Sequence, residues 1–130
     1  MKMSREIKFR AWDNDANKMR TEDCFNIRYG KAWTWDEWGT PRPTSWEIMQ
    51  YTGLKDRRGQ EIYDGDVIKM IAFHNDHHQK GAVDYASIYF SHGQFCIALD
   101  GHKIGTPLFH VKLSSSVEVI GNIHENPELF

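Results

Sequence analysis

Only two cysteines occur in the chain, Cys24 and Cys96, far apart and outside any CxxC spacing. Neither a thiolate zinc site nor a disulfide framework is therefore encoded, and both read as reduced, buried thiols. No run approaches the roughly 18 apolar residues that a membrane helix needs. The opening MKMSREIKF is charged where a signal peptide would be apolar, so the expected location is cytoplasmic. Glycine-rich phosphate loops are absent as well, since neither GxGxxG nor GxxxxGK occurs. No segment holds a long helical period, and neither an internal repeat nor a low-complexity tract is visible. The formal charge of −2 gives no global attraction to nucleic acid.

What is present is a chain of 130 residues, 40% apolar and 13% aromatic, enough to bury a core as one ordinary domain or two very small ones. Dividing it after Glu47 separates two chemistries. All five tryptophans (Trp12, Trp33, Trp35, Trp38, Trp46) precede the cut and all seven histidines follow it. Nine Lys/Arg stand against eight Asp/Glu before it and seven against ten after it, so neither half demands a polyanionic partner. The expected organisation is an N-terminal β-rich, tryptophan-containing subdomain over 1–47, packed on a small β-barrel over 48–130 that ends in a short helical turn.

The strand pattern supports this mostly β (α+β) class. REIKFRAWD alternates Ile7, Phe9 and Ala11 with Lys8, Arg10 and Trp12, the period of a strand with one face on a core. CFNIRYGKAWTW resumes strand character, with Phe25, Ile27 and Tyr29 on one face and a break at Gly30. DEWGTPRPTSWE holds two prolines and a glycine; it cannot be a central strand and reads as a loop or a short helical turn. The second part carries eight of the ten glycines, which punctuate DVIKMIAF, GAVDYASIYF, QFCIAL and SSVEVIGNI as short antiparallel strands. SHGQ should close a tight hairpin, with Gly93 supplying positive φ. Closing the sheet would remove its exposed edges.

Three stretches, REIKFRAWD with NKM, MQYTGLKDRRGQEIYDGDVIK, and EVIGNIHENPELF, together resemble the YopX family of phage and prophage proteins. The resemblance runs in order along nearly the whole chain. It implies a phage-borne accessory protein of small α+β or mostly β structure, with a C-terminal part like the Src-homology barrel. It implies no established reaction, catalytic residue or cofactor.

Residue by residue, Asp56, Arg57, Arg58 and Gly59 have the order of a reverse turn, and Asp64 and Gly65 mark a second reversal before the strand from Val67. Asp56, Glu61, Asp64 and Asp66 are read as turn acceptors rather than a metal or acid–base cluster, because Asp64 and Asp66 flank a turn glycine. Lys55, Arg57 and Arg58 crowd the turn tip, where they could meet phosphates or an acidic protein surface. HNDHHQK offers His74, Asp76, His77 and His78 as weak metal ligands that would need a distant partner such as Asp84, His92 or His102. The bland reading of that tract is a polar hairpin loop. Trp35 and Trp38 with Arg42 form an aromatic, proline-rich loop of the type that anchors protein interfaces or stacks bases; the competing reading is a tryptophan mini-core. At least one of Trp35 and Trp38 is expected to be exposed. HENPELF has the order of a capped helical start at Asn126, and its Leu129–Phe130 end should dock on its own domain or on a second subunit.

The expected function is therefore binding without catalysis, to a host or phage protein, with no cofactor. Two alternatives stand beside it: a nucleic-acid module using the basic turn and aromatic loop, and a metal-dependent enzyme on the histidine tract.

Overall fold

The computed structural model describes residues 6–72, 83–99 and 102–129, with only the backbone described at 72, 102–105, 113–115 and 129. It is mostly β, with one short helix. Two compact units divide after Tyr51, inside a strand and four residues beyond Glu47.

In the first unit, β1 (Phe9–Asp13) lies between β2 (Lys18–Thr21) and the start of β6 (Glu47–Lys55), antiparallel to both. A second, three-stranded sheet holds β3 (Asn26–Arg28), β4 (Lys31–Trp35) and β5 (Pro41–Pro43), with β4 central. The prolines thus occupy an edge strand and not the loop or helical turn expected, because at an edge their missing amides can face away from the ladder. Ala11, Phe25 and Ala32 form the core of this unit, backed by Phe9, Trp46 and Ile48. Phe25 meets Trp46 edge-on with ring centroids 6.3 Å apart, and the Arg20 guanidinium lies over the Trp46 ring at 5.3 Å. Ile7, expected on the core face, is exposed, while Trp12, expected opposite, is buried; both faces of β1 are covered near its end.

Beyond the boundary β6 pairs with β7 (Glu61–Tyr63). A five-stranded antiparallel sheet follows in the order β11-β10-β9-β8-β12, curled into a half-barrel. Its strands are β8 (Asp66–Ala72), β9 (Val83–Ser91), β10 (Gln94–Leu99), β11 (His102–Pro107) and β12 (Ser115–Asn122). Period-2 alternation places Ile68 and Met70, Ala86 and Ile88, Ile97 and Val117 in one core with Ile62. The helix α1 (Leu108–Ser114) completes it through Leu108 and Val111, three residues apart on one face. Seven residues are too few for an isolated helix, so burial of these two side chains holds it in place.

The turns follow the expected chemistry. Ser91 pairs with Gln94 across a two-residue loop in which His92 and Gly93 both have positive φ, the hairpin geometry whose twist matches the strands. At the β6–β7 turn, Gly59 has φ +85°, its N–H bonds the Asp56 carbonyl at 3.0 Å, and Asp56 Oδ1 accepts the amides of Arg58 (2.8 Å) and Gln60 (2.9 Å). Asp56 Oδ2 reaches much farther along the chain and accepts the Val119 amide at 2.9 Å. That amide lies where β12 bulges: Val119 opposes Ile68, Gly121 opposes Val67, and one extra residue sits between them. Arg57 N–H to Val117 O, at 2.9 Å, ties the same turn to the same strand.

Three expectations are corrected here. Tyr29 does not continue a strand with Phe25 and Ile27; Tyr29 and Gly30 form the β3–β4 turn, both at positive φ, leaving Tyr29 94% exposed. Cys24 is exposed in a 3₁₀ turn (Glu22–Cys24), although Cys96 is buried. The expected helical turn after Asn126 is present as a 3₁₀ turn (Pro127–Leu129), but the Asn126 Oδ1 accepts the Asn122 amide at 3.2 Å, a bond to the preceding strand and not a cap on that turn. The Leu129 side chain and Phe130, the expected docking end, lie outside the described residues.

Two stability predictions follow from these bonds. Burial alone would raise the Asp56 pKa, but the amides of Val119, Gln60 and Arg58 and the Arg58 charge hold it below the ordinary aspartate value. A carboxylate depressed in the folded state adds stability that is complete above the unfolded value of about 3.9 and disappears as pH falls through the folded value. Asp56→Ala should cost about 2–4 kcal/mol at neutral pH by urea denaturation, since three amides lose their acceptor. Asp56→Asn should cost less and should flatten the fall in stability below about pH 5; an unchanged slope would contradict this account. A methyl group at Gly121 would overlap the Asn126 side chain, so Gly121→Ala should cost about 1–3 kcal/mol and Gly121→Ala with Asn126→Gly should recover part of it.

Candidate functional site

The three-stranded sheet of the first unit presents an aromatic face to solvent. Residues directly opposite one another in an antiparallel pair share a face, and so do residues two apart on one strand. Asn26 opposes Trp33, Arg28 opposes Lys31, and on the other side Trp33 opposes Pro43 and Trp35 opposes Pro41. Ala32, between them on β4, points into the core. The outer face therefore carries two tryptophans, two prolines, an asparagine and two cations, with no carboxylate.

On this face Asn26, Arg28, Trp33, Trp35 and Pro41 line a cleft of about 60 Å³. Trp33 is half-buried and donates its indole N–H to the Arg28 carbonyl at 3.1 Å, which fixes one wall of the cleft. Trp35 is 49% exposed and Trp38 81% exposed. The sequence ambiguity between a mini-core and a surface is resolved by division: Trp12 is buried and Trp46 packs on Phe25, while Trp35 and Trp38 face solvent.

Trp38 sits in the β4–β5 turn, which repeats the bonding of the β6–β7 turn. Gly39, at φ +79°, donates to the Asp36 carbonyl, and Asp36 Oδ1 accepts from Trp38 N–H (2.9 Å) and Thr40 N–H (2.8 Å). These bonds, led by the Thr40 amide, keep the Asp36 carboxyl below its ordinary pKa. Its second oxygen accepts Arg42 Nε at 3.1 Å. Arg42 opposes Thr34, on the face away from Trp33 and Trp35. The arginine that shares the tryptophan face is Arg28, a residue that sequence reading passed over because strand register, and not proximity along the chain, brings it there.

The basic turn is arranged differently. Arg58 pairs with Glu118 at 3.0 Å, and Arg57 approaches the same carboxylate at 3.9 Å. Lys55 offers its carbonyl to the Lys112 ammonium from α1. The cations are thus gathered around Glu118 and Lys112, with part of their charge already met inside the fold.

His74, Asp76, His77 and His78 lie outside the described residues. Of their suggested distant partners, Asp84 stands near the start of β9 and His92 just past its end, about 25 Å apart at the strand rise of about 3.3 Å per residue, so they could not share one ion. The His102 side chain is not described. Among the described residues no group of three or more His, Cys, Asp and Glu side chains is placed to hold a metal ion. Asp56 and Asp66 act as turn acceptors, the latter taking the Tyr63 amide at 2.8 Å.

Comparison with known proteins fits this architecture. No curated protein matches the chain. The crystal structure of protein EF1440 from Enterococcus faecalis is similar at 27% identity and a TM-score of 0.58, over 97% of this chain and 99% of that one. The YopX protein family model matches residues 8–130. The central and terminal stretches that carry the resemblance are also the ones that Asp56–Val119 and the Gly65 carbonyl with Ile123 N–H (2.9 Å) bring together. Sequence match, fold and these bonds agree: the chain belongs to the YopX family.

Proposed function

We propose that the chain is a phage-borne accessory protein that acts by binding, without catalysis, and that its partner is a host or phage protein. The observation that carries this reading is the outward face of the three-stranded sheet, where Trp35 stands beside the Arg28 cleft, with Trp38 exposed on the adjoining turn. Tryptophan and arginine are the residues that most often dominate binding energy at protein interfaces, and exposed tryptophans contribute nothing comparable to a core. A concrete form of the proposal is a host-takeover or anti-defence factor that blocks a bacterial enzyme. The basic turn ranks behind this face as a contact surface, because Arg57 and Arg58 already face Glu118.

The test begins with capture from a bacterial host lysate at physiological salt, followed by affinity measurement with the identified partner in purified form. Trp35→Ala and Trp38→Ala should each weaken binding about tenfold or more, with melting temperature within a few degrees of wild type. Full affinity in the double variant would remove this face from the proposal. A capture that returned no specific partner would count against binding as the function.

A further inference from the structure

Charge on the aromatic face identifies the chemistry of what it binds. Four of the other described arginines meet carboxylates, Arg20 with Asp13, Arg42 with Asp36, and Arg57 and Arg58 with Glu118, while Arg10 reaches the Met49 sulfur. Arg28 and Lys31 lie directly opposite each other on β3 and β4, and among the described residues neither has a carboxylate partner. Two like charges facing each other across a strand pair are mildly unfavourable by themselves. An arrangement that keeps both, beside two tryptophans and without an internal counter-charge, is complementary to an anionic ligand.

The turn between them points the same way. Among the described residues three non-glycine residues have positive φ: Asn17, Tyr29 and His92. Asparagine and histidine are types that tolerate this conformation, whereas tyrosine gains nothing from it. Tyr29 is also 94% exposed, so core packing does not account for the choice. It sits between Arg28 and Lys31, where an aromatic ring adds contact area to the cationic pair.

The size of the cleft limits the ligand. At about 60 Å³ it is about one-fifth of the smallest usual small-molecule pockets of roughly 300 Å³, so it takes a single side chain rather than a free metabolite. The geometry points to an acidic protein segment as the occupant: carboxylates of the partner meet Arg28 and Lys31, while one of its side chains enters between Trp33, Trp35 and Pro41. This inference rests on the binding reading above and names the partner's chemistry.

The experiment uses the full chain and three fluorescent probes: a peptide alternating glutamate with leucine, the same peptide with glutamine in place of glutamate, and a short oligothymidylate. Anisotropy should show binding of the glutamate peptide that weakens with added salt, and the glutamine peptide should bind at least about tenfold more weakly. Arg28→Glu combined with Lys31→Glu should abolish binding, while Arg57→Ala with Arg58→Ala should leave it unchanged. Tyr29→Asn should weaken binding without lowering the melting temperature, a result that a merely structural tyrosine would not give. Equal binding of the glutamine peptide, tighter binding of oligothymidylate, or no binding of the glutamate peptide would each overturn the assignment. The captured partner separates this inference from the reading beneath it. Loss of that partner in Trp35→Ala but full retention in Arg28→Glu/Lys31→Glu overturns the acidic segment and leaves the binding face standing; retention in both sets of variants overturns both.

Discussion

The Asp56 carboxylate is the constraint from which the second unit is organised. One oxygen closes the β6–β7 turn through the amides of Arg58 and Gln60, and the other accepts the amide of Val119, 63 residues away. β12 is the edge strand of its sheet, and the Val119 N–H, like the Val117 carbonyl two residues before it, points away from β8 to the open edge, where a hydrogen bond to a charged acceptor contributes about 1.5–3 kcal/mol. An aspartate at the turn therefore does two things with one side chain: it shapes a local reversal and occupies a donor on the open edge of a distant strand. The β12 bulge aims Gly121 and Asn122 into the final turn, where Asn122 Oδ1 accepts the amides of His124 and Glu125.

The same device recurs with a different second partner, and that difference separates structure from candidate function. Asp36 repeats the Asp56 turn bond for bond, from the glycine amide at the third following residue to the two amides on Oδ1. Asp13 uses the related form, with Oδ1 taking the amides of Asp15 and Ala16. The second oxygen of Asp13 accepts Arg20 Nε and Nη2, and that of Asp36 accepts Arg42. The Arg20 bonds, the leading influence on the Asp13 carboxyl, hold it below its ordinary pKa against the cost of burial. Each turn thus commits a cation or an amide to the fold, and Arg20 gains a second task over the Trp46 ring. Arginines absorbed in this way are poor candidates for partner contacts. Arg28, on a short strand with no aspartate turn beside it, is left for another use.

How much of this was legible in the sequence depends on the range of the interaction. Turns written in adjacent residues were readable: DRRG with its aspartate acceptor and SHGQ with Gly93. Strands with period-2 cores were readable within a residue or two, as at QFCIAL and SSVEVIGN. The helix α1 was not, because its two anchoring residues are too few to establish a period and its stability comes from burial. The exposure of Cys24 was hidden for a similar reason, since a thiol's usual burial says nothing about a 3₁₀ turn at the surface. At the aromatic face, composition located the tryptophans but not their directions. Arg42 is near Trp38 in sequence and lies on the opposite face, while Arg28 is seven residues before Trp35 and shares its face.

Register is what converts that composition into a surface, and it explains why the Tyr29–Gly30 turn matters beyond its two residues. A two-residue hairpin loop pairs Arg28 with Lys31, and this pairing then places Asn26 against Trp33. A loop longer by one residue would shift β4 by one position and turn Trp33 and Trp35 inward while exposing Ala32 and Thr34. The core cost of burying two indoles where Ala32 now sits would be large, because the space beside Ala11 and Phe25 is already filled. Positive φ at Tyr29 is therefore required by the loop length, but the identity of the side chain is not. An asparagine would meet the backbone requirement more easily, so nothing within the turn itself calls for a tyrosine; its side chain is exposed between two cations that have no carboxylate partner among the described residues.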